Sequence, residues 1–322
     1  MDSPVSTIAN LIKTEDDFLV AAHANPDGDA LGSTVALGYL LQAQSKRFHL
    51  YNYNGMTAAC DWLTPPAPVY TATPSWTPRF CFILDCGALD RVGDEILRIL
   101  PECQVVNIDH HMGNPGFGAV NWVDSSFSAV GEMIALLARE FEVPLQGHLA
   151  EALYLSIATD THFFTYASAT SRTLRLAAEM VENGLDLGEV NGKIRNQWSL
   201  NRINLWTRIM QNMRLDFGGR VAVAAIPQEL YRETGTSPLD SDDLVSFLRR
   251  IRGVRVAVLL REDGPEKIKF SLRSQGADNV RDIAATFGGG GHKNASGGTI
   301  CTALEPAKEQ LVHTVGQAMG FI

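Results

Sequence analysis

Residues 18–44 read FLVAAHANPDGDALGSTVALGYLLQAQ. FLVAAH (18–23) is a short apolar run, the middle is a polar loop bent by Pro26 and Gly28, and DALGSTVALGYLLQAQ (29–44) carries apolar residues at helical spacing. A strand that passes into a helix through a short polar loop is the opening unit of a parallel α/β sheet. The pattern recurs downstream. RFHLYNY (47–53), FCFILD (80–85) and QVVNID (104–109) read as further strands. RVGDEILRIL (91–100), AVGEMIALLARE (129–140), HLAEALYLSIATD (148–160) and SRTLRLAAEMVENG (171–184) read as helices, the last stopped by Asn183-Gly184. The alternation predicts a doubly wound parallel sheet over residues 1–185.

Residues 186–215 keep a helical pattern, clearest in LNRINLWTRIMQNMRL, and are expected to form a connector without strands. A smaller mixed α/β domain is expected over 216–322. RVAVAAI (220–226), VRVAVLLRE (254–262) and KIKFSLRS (267–274) read as its strands, the last two made antiparallel neighbours by the Gly264-Pro265 turn. Helices are expected near 240–251, at DNVRDIAATF (278–287) and near 304–318, with a glycine cluster between the last two.

Composition narrows the class. The 322 residues carry 27 Lys plus Arg against 36 Asp plus Glu, a net charge of −9, with 45% hydrophobic residues. That is globular composition, long enough for two cores. No apolar run reaches the ~18 residues of a membrane helix, and the start, MDSPVSTIANLIKTEDD, lacks the basic and apolar regions of a secretory signal. Five scattered cysteines without a C-x-x-C point to reduced thiols and a cytoplasmic protein. The charge is unevenly spread: residues 1–185 hold 9 basic and 21 acidic side chains, and residues 186–322 hold 18 and 15. An acidic half suits cations and a mildly basic half suits an anion, whereas long duplex nucleic acid is disfavoured.

The loop at 23–29 places His23, Asp27 and Asp29 within seven positions. Mixed imidazole and carboxylate donors suit Mn²⁺, Fe²⁺ or Zn²⁺. The same loop reads equally as an Asx turn before a helix capped by Asp29 or Ser33. Two other strand ends add weight: FCFILD ends at Asp85, and QVVNID ends at Asp109 followed by His110 and His111. In an open α/β sheet, ligands bind outside the carboxyl ends of the strands. Asp160 closes an apolar helix, where a carboxylate has no packing role. Each acid alone reads as an ordinary cap; together they read as a site.

H-x-N-P-D-G-D-A-L-G-S, the later D-C-G, the D-H-H triplet and the T-D-T segment resemble, in order, the four motifs of the DHH phosphoesterases. FGGGGHKNASGG (287–298) is similar to the signature of their DHH-associated C-terminal domain. The resemblance implies that His23 and Asp27 bind one divalent metal, that Asp29, His110 and Asp160 bind a second, and that Asp85 bridges them. It implies Mn²⁺ as the usual metal, Asp109 as a partner orienting the histidines, and His111 facing the substrate phosphate as acid or donor. The active site is then expected in a cleft between the domains, with two-metal hydrolysis as its chemistry. In the second domain the backbone of Gly289, Gly290 and Gly291, together with His292 and Ser296, is expected to meet a phosphate or its base, and Arg273 to fork onto a phosphate. One departure stands out: His162 occupies a place where the family commonly has a small residue, where it would narrow the pocket or add a phosphate contact.

Within the family, the length and the lack of further domains favour the stand-alone two-domain type, which degrades short oligonucleotides (nanoRNA) and dephosphorylates 3′-phosphoadenosine 5′-phosphate. The resemblance also implies a homodimer. The alternatives are a cyclic- or linear-dinucleotide phosphodiesterase of the same build and, from another class, a nucleotide-binding regulatory module.

Overall fold

The computed structural model describes residues 3–196 and 198–322, which separate into two compact units, 1–197 and 198–322. The first contains α1 (Pro4–Thr14), β1 (Phe18–Ala22), α2 (Gly28–Ala43), β2 (Phe48–Tyr51), β3 (Val69–Tyr70), β4 (Phe80–Leu84), α3 (Asp94–Ile99), β5 (Gln104–Asp109), β6 (Val120–Val123), α4 (Val130–Glu140), α5 (Gly147–Asp160), α6 (Ser171–Glu182) and α7 (Leu187–Arg195). Its six strands lie in the order β3-β2-β1-β4-β5-β6, and every neighbouring pair is parallel. The order reverses between β1 and β4, so the carboxyl ends of β1, β4 and β5 surround the topological switch point.

Burial explains the local sequences. β1 (FLVAA) and β4 (FCFIL) are buried along their whole length, as expected of strands covered on both faces. One face packs on α1, α2, α4 and α5 through Phe18, Val20, Phe82, Leu37 and Leu153. The other carries Leu19, Ala21, Cys81 and Ile83 against Val92 and Ile96. α2 is apolar nearly all round and leans on α5 through small residues. A Cβ on Gly32 would stand 2.5 Å from the Ala152 carbonyl oxygen, so glycine is required where these two helices touch. α6 opens with a capping box between Thr170 and Thr173.

The second unit contains α8 (Leu200–Gln211), β7 (Arg214–Asp216), β8 (Val221–Ile226), α9 (Gln228–Thr234), α10 (Leu244–Leu248), β9 (Val256–Glu262), β10 (Ile268–Ser274), α11 (Val280–Ala285), β11 (Gly290–His292), β12 (Ala295–Ile300) and α12 (Leu304–Ala318). Its sheet runs β11-β12-β10-β9-β8-β7. Only β8 and β9 pair in parallel; β9 and β10 are antiparallel, as the Gly-Pro turn predicts. Separate cores cover its two faces, one around Phe270, Ile283 and Leu311 and one around Leu205, Trp206 and Leu244.

Several expectations need correction. The stretch 186–215 is not strand-free, because β7 forms an edge strand on β8. Nor does it stand apart as a connector: Val190 of α7 joins the first core, whereas Leu205, Trp206 and Ile209 of α8 join the second unit's core. The two-residue β3 and the four-residue β6 were not read as strands. They lie at either edge of the sheet, where few pairings are needed and the hydrophobic pattern is weak. The glycine cluster forms most of a hairpin, with Gly290 opposite Gly297 and Gly291 opposite Ser296.

Candidate metal centre

His23 leaves β1 nearly buried, at 5% exposure. Its Nδ1–H donates to the Ala24 carbonyl at 2.9 Å; a carbonyl can only accept, so in the neutral ring Nε2 is the atom that carries the lone pair. That Nε2 lies 3.5 Å from Asp85 Oδ2 and 3.8 Å from Asp27 Oδ2. Asp27 caps α2: its Oδ1 accepts from the Asp29 and Ala30 amides at 3.0 Å each. The cap is thus Asp27 rather than Asp29 or Ser33, which lie within the helix, and capping does not compete with ligation, because one oxygen of Asp27 caps while the other faces His23.

Asp29 sits in the first turn of α2, 1% exposed. Its Oδ2 accepts from the Val130 amide at 2.8 Å, and its Oδ1 from the Gly131 amide at 3.2 Å and the Ser156 hydroxyl at 2.5 Å. His110 repeats the logic of His23. Its Nδ1–H donates to the Phe127 carbonyl at 3.3 Å, and Nε2 lies 3.6 Å from Asp29 Oδ2, 3.6 Å from Asp85 Oδ1 and 3.5 Å from Asp160 Oδ2. Asp160 is the last residue of α5.

Asp85 stands between the two sets. It follows β4 with φ +51°, a left-handed conformation that Asp tolerates better than most residues. Its buried Oδ1 has no hydrogen-bond partner, and a buried unpaired carboxylate oxygen is costly unless something positive meets it. Two groups of three donors result, His23–Asp27–Asp85 and Asp29–His110–Asp160, with the donor atoms of each group within 4.8 Å of one another. Nitrogen and carboxylate oxygens in such groups fit divalent transition metals. A third grouping, Asp85–His110–His111, differs in kind: His111 Nδ1 already donates to Asp109 Oδ1 at 2.8 Å.

Asp109, completely buried at the end of β5, is fixed on its other oxygen by Asn114 Nδ2 at 2.6 Å. Asn114 is held in turn by Asn107 Nδ2 at 3.0 Å. The His111 side chain is 36% exposed, and with Nδ1 bound to Asp109 its Nε2 is the ring nitrogen left for another partner.

The electrostatics reflect crowding of like charge. Burial works against charge on Asp85, but the imidazoles of His110 and His23 beside it outweigh that and hold the carboxyl below its ordinary range. Burial, joined by the charges of Asp85 and Asp160, pushes Asp29 well up. Burial likewise raises Asp160 to about 6. Burial opposes protonation of His110, but Asp85, Asp29 and Asp160 together carry it up to about 10. The hydrogen bond that His111 donates to Asp109 raises His111. Four carboxylates converge here, and divalent cations relieve that repulsion.

Cys86, next to Asp85, is no ligand. Its thiol donates to the Ala88 carbonyl at 2.9 Å, and burial pushes it up to about 11. His162 has φ +49°, followed by Phe163 and Phe164 at +55° and +62°. A left-handed backbone favours glycine, which accounts physically for a small residue at this place. The His162 ring stacks on Tyr166, centroids 5.0 Å apart.

The residues expected in the second domain lie on its hairpin and on the neighbouring strand β10. Arg273 lies on β10, its guanidinium donating to the Leu272 carbonyl at 3.1 Å, and lines a cavity of about 320 Å³ with Lys269, Ser271 and Thr299. His292 ends β11 in an exposed position. Ser296 is 4% exposed, and its hydroxyl donates to the His292 carbonyl at 2.6 Å, bracing the hairpin. Gly289 and Gly291 are required by packing as well, since a Cβ would stand 2.2 Å from the Gly297 carbonyl and 2.6 Å from the Ala295 carbonyl respectively. Gly290 has open space above it.

Residues 17–157 match the model of the DHH family, N-terminal domain, and residues 217–320 match the DHHA1 domain. The chain is 30% identical to the bifunctional oligoribonuclease and PAP phosphatase NrnA of Thermus thermophilus, over 97% of this chain and 93% of that one. It is 28% identical to the Bacillus subtilis protein of the same name, over 90% and 91%. Among solved structures, an exopolyphosphatase-related protein from Bacteroides fragilis superposes with a TM-score of 0.88 at 26% identity, covering 98% of this chain and 95% of that one. The parallel sheet with its strand-end donors lies in the first matched region and the glycine hairpin in the second, and the chain belongs to the DHH family.

Proposed function

We propose that the chain hydrolyses phosphoester bonds in short oligoribonucleotides and removes the 3′-phosphate of 3′-phosphoadenosine 5′-phosphate, with two divalent cations, Mn²⁺ by preference. The carrying observation is the pair of three-donor groups with the buried, unpartnered Asp85 oxygen between them. His23, Asp27 and Asp85 would hold one cation, and Asp29, His110 and Asp160 the other, with Asp85 reaching both. Cations there supply Lewis-acid chemistry, neutralising charge on phosphoryl oxygens and making water a competent nucleophile at neutral pH.

The protein's own contribution is orientation. The carbonyls of Ala24 and Phe127 set the tautomers of His23 and His110, so that both present Nε2 to the carboxylates. Asp109 raises the basicity of His111, which keeps a proton available at Nε2 for the leaving oxygen. Arg273 and His292 are assigned to the substrate's non-reacting phosphate or base. The NrnA names of the Thermus and Bacillus relatives support this substrate class.

The test offers the purified chain a diribonucleotide, a longer RNA, 3′-phosphoadenosine 5′-phosphate and a cyclic dinucleotide, each with Mn²⁺. The expected order of kcat/KM has the first and third ahead. Asp85→Ala is expected to abolish all turnover with an unchanged circular dichroism spectrum. Normal turnover in that variant, or a large preference for the cyclic substrate, overturns the reading.

A further inference from the structure

Glu132 is a charged residue with no place in the metal centre, yet it is completely buried in the first turn of α4. Its Oε2 accepts from the Ser128 amide at 2.8 Å and the Ser128 hydroxyl at 3.0 Å. Its Oε1 accepts from Arg172 Nε at 3.0 Å and from the Thr173 hydroxyl at 3.2 Å. Arg172, at the start of α6, also donates to the Ser126 carbonyl at 2.9 Å, and its guanidinium lies 3.9 Å over the Phe127 ring. The backbone at 126–128 is thereby gripped by one ion pair.

That short stretch and the helix start after it supply partners to two candidate ligands. Phe127 offers the carbonyl that orients His110, and Val130 and Gly131 offer the amides that hold Asp29. His23 and Asp27 draw on none of these groups: their partners are Ala24 and the α2 amides.

We propose that the Glu132–Arg172 pair is a positioning device for one cation group only, Asp29–His110–Asp160, acting through the backbone of residues 126–131. The inference rests on the two-cation reading above. A role in stability alone explains the pair less well, because a buried ion pair adds little net stability over apolar packing. The same two helices already carry a second, more exposed bridge, Arg139–Glu179.

That second bridge is the control. Mn²⁺ binding to the full chain is measured by calorimetry, with the spin coupling of paired Mn²⁺ ions followed by electron paramagnetic resonance. Wild type is expected to bind two ions. Arg172→Ala is expected to weaken one of them roughly 10- to 100-fold, the range for losing an outer partner of a ligand, and to lose the coupled signal at limiting metal. Arg172→Lys, which keeps the charge opposite Glu132, is expected to show a smaller loss at the same ion. Arg139→Ala is expected to leave both affinities unchanged while lowering the unfolding midpoint. Wild-type affinity for both ions in Arg172→Ala and Arg172→Lys, or equal weakening of both ions, overturns the inference. Fewer than two ions on wild type overturns the two-cation reading, and this inference with it.

Discussion

Gly32→Ala tests whether the contact between α2 and α5 is as close as described. In an open helix this substitution stabilises by about 1 kcal/mol, because alanine loses less backbone entropy than glycine. Here the new Cβ would stand 2.5 Å from the Ala152 carbonyl oxygen and 2.9 Å from both the amide nitrogen and the Cβ of Ser156. Two of these three atoms are backbone, so no rotamer change relieves the overlap and α2 and α5 must move apart by about 1 Å. Overpacking of this kind costs ~1–3 kcal/mol. With two backbone atoms involved the upper half of that range applies, leaving a net destabilisation of about 1–2 kcal/mol. The movement also separates Ser156 from Asp29, a hydrogen bond of 2.5 Å, so Mn²⁺ affinity should fall together with stability. Urea unfolding followed by circular dichroism reads the first effect and calorimetric titration the second. Gly192→Ala on α7 is the internal reference: its Cβ would meet nothing nearer than 3.6 Å, and it should raise the midpoint. An unchanged or raised midpoint in Gly32→Ala would refute the argument from close approach.

Asp109→Asn should shift the alkaline limb of the pH–kcat/KM profile to lower pH. The Asp109 hydrogen bond is the main cause raising His111; a proton donor works below its pKa, so removing that cause shortens its working range, and an unmoved limb would exclude His111 as the acid. Glu151 is partly opposed by burial, but its contacts with His148 and Lys193 hold its carboxyl below the ordinary range. A depressed folded pKa contributes stability above the unfolded value of about 4.3 and loses it as pH falls through the folded value. Glu151→Gln should therefore be less stable than wild type at neutral pH and lose that deficit in acid, whereas a constant gap between urea midpoints would contradict the sign.

The parallel sheet was legible because its central strands are unbroken apolar runs, and a strand in a doubly wound sheet leaves few other readings. Asp85 and the Asp109–His110–His111 triplet were legible for the same reason: the acid that interrupts such a run marks a carboxyl end. β3, β6 and β7 were not, since edge strands of two to four residues carry too little periodicity to stand above their loops. Ser156, Asn114 and Glu132 gave no signal either. Each reads as an ordinary polar residue on a helix or loop, and its importance comes from what it meets. His162 was noticed as a departure, but its left-handed backbone and its stacking on Tyr166 were not foreseeable from residue order.

The donors themselves, their residue types and the sheet edge on which they fall follow from the sequence alone, because alternation and strand ends are short-range patterns. Which atom each donor presents was decided only by the tertiary structure. Asp29 takes its partners from residues 101 and 127 positions away, and the two histidines expose Nε2 because distinct backbone carbonyls occupy Nδ1. The hairpin glycines divide in the same way: Gly290 is open, whereas Gly289 and Gly291 are required by strands that close on them from behind. Side-chain chemistry is local and can be read in order along the chain. Its orientation is set by groups that approach only when the helices pack.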